Sequence, residues 1–249
     1  MSGHSKWSTI KRKKGAADSK RSKLFSKLVK DITIAVKESG NDVDSNPRLR
    51  LAISLAKSAS MPKDNILRAI KKGDDKDSAN YVELNYEGYA AHGIAVFVEC
   101  TTDNTQRTVS NVRSIFNKYS GSLGKNGSLS FIFDRKGIFS FPVGDLDMED
   151  LELEIIDAGA EDFEIEDDMA TITTSLEDFG SMVKKLEELN IEPETAELQR
   201  VPNTTDKLDV ETAKKVLKMI DAFEADDDVV NVFHNLEMTD ELQAALEEE

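Results

Sequence analysis

Nine cations stand within the first 27 residues: Lys6, Lys11, Arg12, Lys13, Lys14, Lys20, Arg21, Lys23 and Lys27. Ammonium and guanidinium groups at this density attract phosphate and displace the counterions condensed on a nucleic acid, so the resulting binding is steeply salt-dependent. Trp7, the only tryptophan, either stacks on an exposed base or docks this arm onto the helices that follow. His4 can pair with a phosphate or a base edge. A lysine run is often no more than a solvated surface, and here the rest of the chain decides between the readings. Residues 1–73 hold 18 Lys+Arg against 6 Asp+Glu, a balance of +12, while residues 74–249 hold 14 against 42, a balance of -28. Such asymmetry points to a polyanion-binding segment that the formal net charge of -16 conceals.

A second candidate lies further on, where Asn104, Arg107 and Arg113 follow Asp103. Asn and Arg at a helix N-terminus can hold a phosphate, and Asp103 or Asn104 can equally cap the helix. Gly121-Ser122-Leu123-Gly124 spells a GXXG loop, yet it leads into a strand and reads as a turn needing positive φ. It also lacks the residue order of a P-loop.

Catalysis finds little support. His4, His92 and His234 are scattered and have no partner motif, and the acidic runs lack calcium-loop spacing, so a non-enzymatic protein without metal or cofactor is expected. One cysteine, Cys100, rules out an intramolecular disulfide and sits in an apolar run, so it is expected to be a small buried residue. The N-terminus does not read as a signal peptide, and nowhere do about 18 apolar residues run together. A cytoplasmic protein without a membrane span is expected.

The elements that position these residues follow from periodicity. Residues 1–20 read as an arm. Leu24, Phe25, Leu28, Val29, Ile32 and Val36 share one face of a helix from about Ser19 to Glu38, with Lys20, Lys23, Lys27 and Lys30 on the other. Asn46-Pro47 opens a second helix, and a third runs from Met61-Pro62 to Gly73, read as its stop. After the polar run 73–80, strands are expected over 81–89 and 94–101, a helix over 105–119 and a strand over 128–133. Residues 137–201 follow the order β-α-β-β-α-β of ferredoxin-like domains. A helix over 210–225 and a strand over 229–236 cannot bury their faces alone, so they are expected to pair with the elements of 81–133.

With these segments laid out, the chain resembles the YebC/PmpR family, which includes the mitochondrial translational activator of cytochrome oxidase. The resemblance rests on Gly3-His4-Ser5-Lys6-Trp7, Lys23-Leu24-Phe25-Ser26-Lys27, Asn46-Pro47-Arg48-Leu49-Arg50 and Ala69-Ile70-Lys71-Lys72-Gly73. It continues through Tyr86-Glu87-Gly88-Tyr89, Thr102-Asp103-Asn104 with Arg107-Thr108, Leu123-Gly124 and Asp228-Val229-Val230-Asn231-Val232. Thr105 stands where the family often has an arginine, Ala91 where proline is common, and Ser120 where glycine is usual. The resemblance implies a helical N-terminal domain and two α/β domains. It also implies a role in gene expression, described either as sequence-specific DNA-binding transcriptional regulation or as translation at the ribosome, including relief of stalled elongation.

The expectation is therefore an α+β protein: a basic helical domain with its arm (1–80), a discontinuous α/β domain (81–136 plus 202–249) and an inserted ferredoxin-like domain (137–201), both sheets antiparallel. The candidate nucleic-acid contacts are His4, Lys6, Trp7, Lys11, Arg12, Lys13, Lys14, Lys20, Arg21, Lys23, Lys27, Asn104 and Arg107. Ribosomal or other structured RNA is favoured, because the cations gather on the arm and first helix and no dimer seam is visible. Ribosomal proteins are further partners that the acidic domains could meet. The DNA alternative reads residues 46–72 as a helix-turn-helix with Arg68 as its base contact. The oligomeric state stays open.

Overall fold

The computed structural model describes residues 17–75, 80–144, 146–166 and 168–247. Chain packing divides the described residues into two compact units: those within 17–23, 80–134 and 201–247 form one, and those within 24–75 and 135–200 form the other. The architecture is α+β, with N-terminal helices followed by two antiparallel-sheet parts, one ferredoxin-like and inserted in the other.

In the second unit, which takes in α1 (Ala17–Ser39) from Leu24 onward, α1, α2 (Pro47–Ser58) and α3 (Lys63–Asp74) bury a shared core. Leu28, Ile32 and Val36 of α1 meet Leu49 and Ala56 of α2 and Ile66 and Ala69 of α3. Asn46 caps α2 by accepting from the Leu49 amide at 3.0 Å, and its Nδ2 donates to the Ala35 and Gly40 carbonyls at 2.8 Å each. One buried carboxamide thus closes one helix and opens the next, and Pro47 needs no amide partner at that position. Gly73 lies inside α3 instead of after it. A Cβ there would sit 2.6 Å from Val36 Cβ and 2.8 Å from the Thr33 carbonyl, so this glycine lets α3 approach α1 closely rather than ending α3.

The ferredoxin-like part consists of β4 (Phe133–Pro142), α5 (Met148–Asp157), β5 (Ala160–Glu166), β6 (Met169–Ser175), α6 (Phe179–Glu188) and β7 (Thr195–Pro202). Its sheet order is β5-β6-β4-β7, with β6 antiparallel to both β4 and β5. Phe139, Phe141, Leu151, Ile155, Ile172 and Met182 fill its core, and Leu51 and Leu55 of α2 pack against that core. Two ion pairs join the same parts, Lys27 to Glu197 at 2.9 Å and Arg50 to Glu187 at 3.1 Å. At the edge of the sheet, β5 carries the exposed acids Glu161, Asp162, Glu164 and Glu166.

In the first unit, β1 (Val82–Tyr89), β2 (Ala95–Thr102), β3 (Ser122–Leu123) and β8 (Val229–His234) form a sheet in the order β3-β1-β2-β8, antiparallel throughout. Helices α4 (Thr105–Lys118) and α7 (Val210–Ala225) pack with it around Val96, Val98, Phe116, Ile220 and Phe223. A second cluster, Ala95, Phe97, Leu129, Phe133 and Phe233, buries alternate residues of the strands. With apolar cover from both clusters, β2 reads as the continuous apolar run seen in the sequence, and Cys100 is buried within it.

A further expectation needs correction, and one element went unread. Residues 128–132 form turns, and the strand begins only at Phe133. The reason is Glu87, a buried side chain on β1 that accepts from the amides of Gly127 at 2.7 Å and Leu129 at 2.6 Å. Amides held by a side chain cannot join a ladder. A helix not read from the sequence, α8 (Asp240–Glu247), follows the last strand and buries Leu242 and Leu246 in the α4–α7 core.

Candidate nucleic-acid interface

His4, Lys6, Trp7, Lys11, Arg12, Lys13 and Lys14 lie outside the described residues. Lys20 falls on the first turn of α1. Arg21 is exposed one residue later, whereas Lys23 and Lys27 are half-buried. Lys23 Nζ donates to the Asp226 carbonyl at 3.1 Å within the first unit, and Lys27 is paired with Glu197 within the second. Part of the basic helix face is therefore engaged inside the molecule.

The structure gives Asn104 and Arg107 defined structural work. Asn104 adopts extended backbone before α4, and its Oδ1 accepts from the Arg107 amide at 3.0 Å, which makes it the N-cap. The Arg107 guanidinium meets Asp228 side-on, Nε to Oδ2 at 3.0 Å and Nη2 to Oδ1 at 2.7 Å. The same Nη2 reaches Asp103 at 2.9 Å. Thr108, fully buried, donates its hydroxyl to Asp228 Oδ2 at 2.9 Å. Burial pushes the Asp228 carboxyl up. The hydrogen bonds from Arg107 and Thr108, with the guanidinium charge, outweigh that and hold it below the ordinary carboxylate range. Arg107 is held protonated above its usual value, chiefly by its hydrogen bond to Asp228 and then by that to Asp103.

This cluster joins the start of α4 to the turn before β8, and Asn111 adds a bond to Asp226 at 2.9 Å. Sequence reasoning found Asn46 as a cap but missed Asp228 and Glu87 as working residues. Their only signal was membership in the short motifs that carry the family resemblance.

Arg68 is exposed on α3; its Nη2 is bonded to Asn65 Oδ1 and its Nε donates to the Asp64 carbonyl at 3.3 Å. Around it, Lys63, Leu67 and Lys71 are exposed as well. Among the described residues no group of three or more His, Cys, Asp or Glu side chains is placed to hold a metal ion, and no helix is long and apolar enough to cross a membrane.

Two family models match nearly the whole chain: the TACO1/YebC protein N-terminal domain over residues 5–76, and the TACO1/YebC second and third domain over residues 81–236. The chain belongs to the TACO1/YebC family. A relative from Amoebophilus asiaticus is 55% identical over 239 residues, covering 95% of this chain and 98% of its own. One from Chlorobaculum parvum is 48% identical over 251 residues, covering 100% of both. Each bears the name "probable transcriptional regulatory protein". The crystal structure of a conserved hypothetical protein from Aquifex aeolicus superposes with a TM-score of 0.79 at 42% identity, over 88% of this chain and 91% of that one.

Proposed function

We propose that this TACO1/YebC-family protein is a non-enzymatic regulator of gene expression that binds ribosomal or other structured RNA through its basic N-terminal arm and acts at the ribosome to relieve stalled elongation. The observation that carries this reading is the division of charge, +12 in residues 1–73 against -28 in the remainder. Lys6, Lys11, Arg12, Lys13, Lys14, Lys20 and Arg21 make the phosphate contacts, with His4 and Trp7 at exposed bases. At the other candidate site the Arg107 side chain, 46% exposed, keeps one side open to a phosphate beside the N-cap Asn104. The acidic remainder repels the same polyanion, so the arm is the end that approaches, and basic ribosomal proteins are suitable partners for the acidic faces.

The test is ultraviolet crosslinking in growing cells, followed by sequencing of the attached nucleic acid, with wild type beside a variant carrying Lys11→Glu, Arg12→Glu, Lys13→Glu and Lys14→Glu. Ribosomal RNA at a few discrete positions, lost in the variant, is the expected result. Unchanged crosslinking in the variant removes the arm from the mechanism. A second reading, a DNA-binding transcriptional regulator, draws on the relatives' names and on the exposed Arg68 of the α2–α3 pair. Enriched promoter DNA with ribosomal RNA at background establishes it instead.

A further inference from the structure

We propose that the outer face of α4 is a second surface for the phosphodiester backbone of a nucleic acid, an inference that rests on the nucleic-acid reading above and adds a site to it. From Asn104 to Phe133 the chain holds no Asp or Glu, although acids make up 48 of its 249 residues. Arg107, Arg113, Lys118 and Lys125 fall within this stretch. Arg107 is largely neutralised by Asp228 and Asp103, so the distinctive charge lies further along the helix.

There the buried side of α4 is Thr108, Val112 and Phe116, and the opposite side is polar except for the half-buried Val109. Gln106, Ser110, Arg113, Ser114, Asn117 and Lys118 line an open groove of about 780 Å³. Their spacing sets them along one face over three turns. Guanidinium, ammonium, hydroxyl and carboxamide groups can all donate to phosphate oxygens, and the neutral ones can also pair with sugar hydroxyls or base edges. No carboxylate on the helix opposes them. Helix α7 lies alongside, with Phe223 edge-on to Phe116 at 4.9 Å between ring centres, and it exposes Lys215 and Lys218. Its Glu211 is exposed as well, while Asp221 and Glu224 are half-buried.

The character of the surface selects the ligand. Protein interfaces are centred on exposed apolar or aromatic anchors, and none of the large exposed hydrophobic residues falls on α4 or α7. In the acidic remainder of the chain the helices α5 and α8 carry acids and no Lys or Arg, the reverse of α4. A cationic, carboxylate-free face whose one apolar lining residue is the half-buried Val109 suits a polyanionic backbone.

The test uses the full-length chain with Arg113→Glu and Lys118→Glu together, titrated against a fluorescent RNA hairpin and the matching DNA hairpin over a range of salt. Both side chains are exposed, so the variant should melt as the wild type does. Loss of two phosphate contacts should lower affinity about tenfold or more at low salt and reduce the slope of log K against log salt by roughly one to two. A loss confined to one hairpin identifies RNA or DNA as the source of the backbone. Wild-type affinity and slope in this variant, with binding lost on charge reversal of Lys11 to Lys14, overturn the inference and leave the proposed function intact. A wild-type chain that binds neither hairpin overturns both.

Discussion

Arg107 and Asp228, 121 residues apart in the chain, meet through two hydrogen bonds of 3.0 and 2.7 Å. Asp228 is only 4% exposed, so its charge depends on this partner and on Thr108. Because its folded pKa lies below the ordinary value of about 3.9, the unfolded chain binds the proton more readily. The stabilisation is therefore complete above about pH 4 and is lost as pH falls through the folded value. Asp228→Asn should lower the thermal midpoint at neutral pH and flatten the remaining fall in stability toward acid. Melting curves from neutrality to about pH 3 check this; parallel acid limbs in the two proteins would refute it.

Glu87 organises the turns over residues 127–132 from beneath. Glu87→Gln leaves one oxygen where two carboxylate oxygens now accept from the Gly127 and Leu129 amides. One buried donor then goes unmet, at a cost of about 1–3 kcal/mol. Hydrogen exchange at the Leu129 amide should accelerate well beyond that of amides in β2. Unchanged protection there would show that the loop holds itself.

Ser120 closes α4 in the left-handed region at φ 59. Its amide reaches the Asn117 carbonyl at 3.3 Å and the Gly121 amide reaches Phe116 at 2.8 Å, the pair of bonds that commonly recruits glycine. The same geometry ends α2 at Ser60 (φ 58) and α6 at Asn190 (φ 55). A left-handed serine costs about 1–2 kcal/mol, and glycine returns part of that as unfolded-state entropy. Ser120→Gly should therefore stabilise by up to about 1 kcal/mol, or roughly 2–4 °C in Tm. A calorimetric midpoint that stays level or falls would contradict it.

These helix ends mark where local reading stops. Apolar periodicity and the Asn46-Pro47 start fixed α1, α2 and α4 to within a few residues, because each signal acts inside one turn of helix. The β-α-β-β-α-β order was legible for the same reason, and α7 with β8 was assigned to the first sheet because neither could bury its apolar face alone. Gly73 misled because a glycine that permits close helix packing looks, in sequence, like one that ends a helix. The turns at 128–132 and the role of Asp228 depend on partners 40 and 121 residues away, and no local pattern encodes such a partner. At α4 the sequence left capping and phosphate binding equally open for Asn104, and only the position of its Oδ1 places it as the cap.

The acids of β5 bear on how the protein behaves among copies of itself. A strand at the edge of a sheet is a template onto which another molecule's strand can add. Glu161, Asp162, Glu164 and Glu166 belong to that strand, so a second copy meets a row of acids, of which Glu161 is paired with Lys136 at 2.7 Å, before its backbone can pair. The protection is electrostatic and is screened as the salt concentration rises. High salt should thus make solutions of this protein turn cloudy through strand-to-strand growth while the folded cores are still intact.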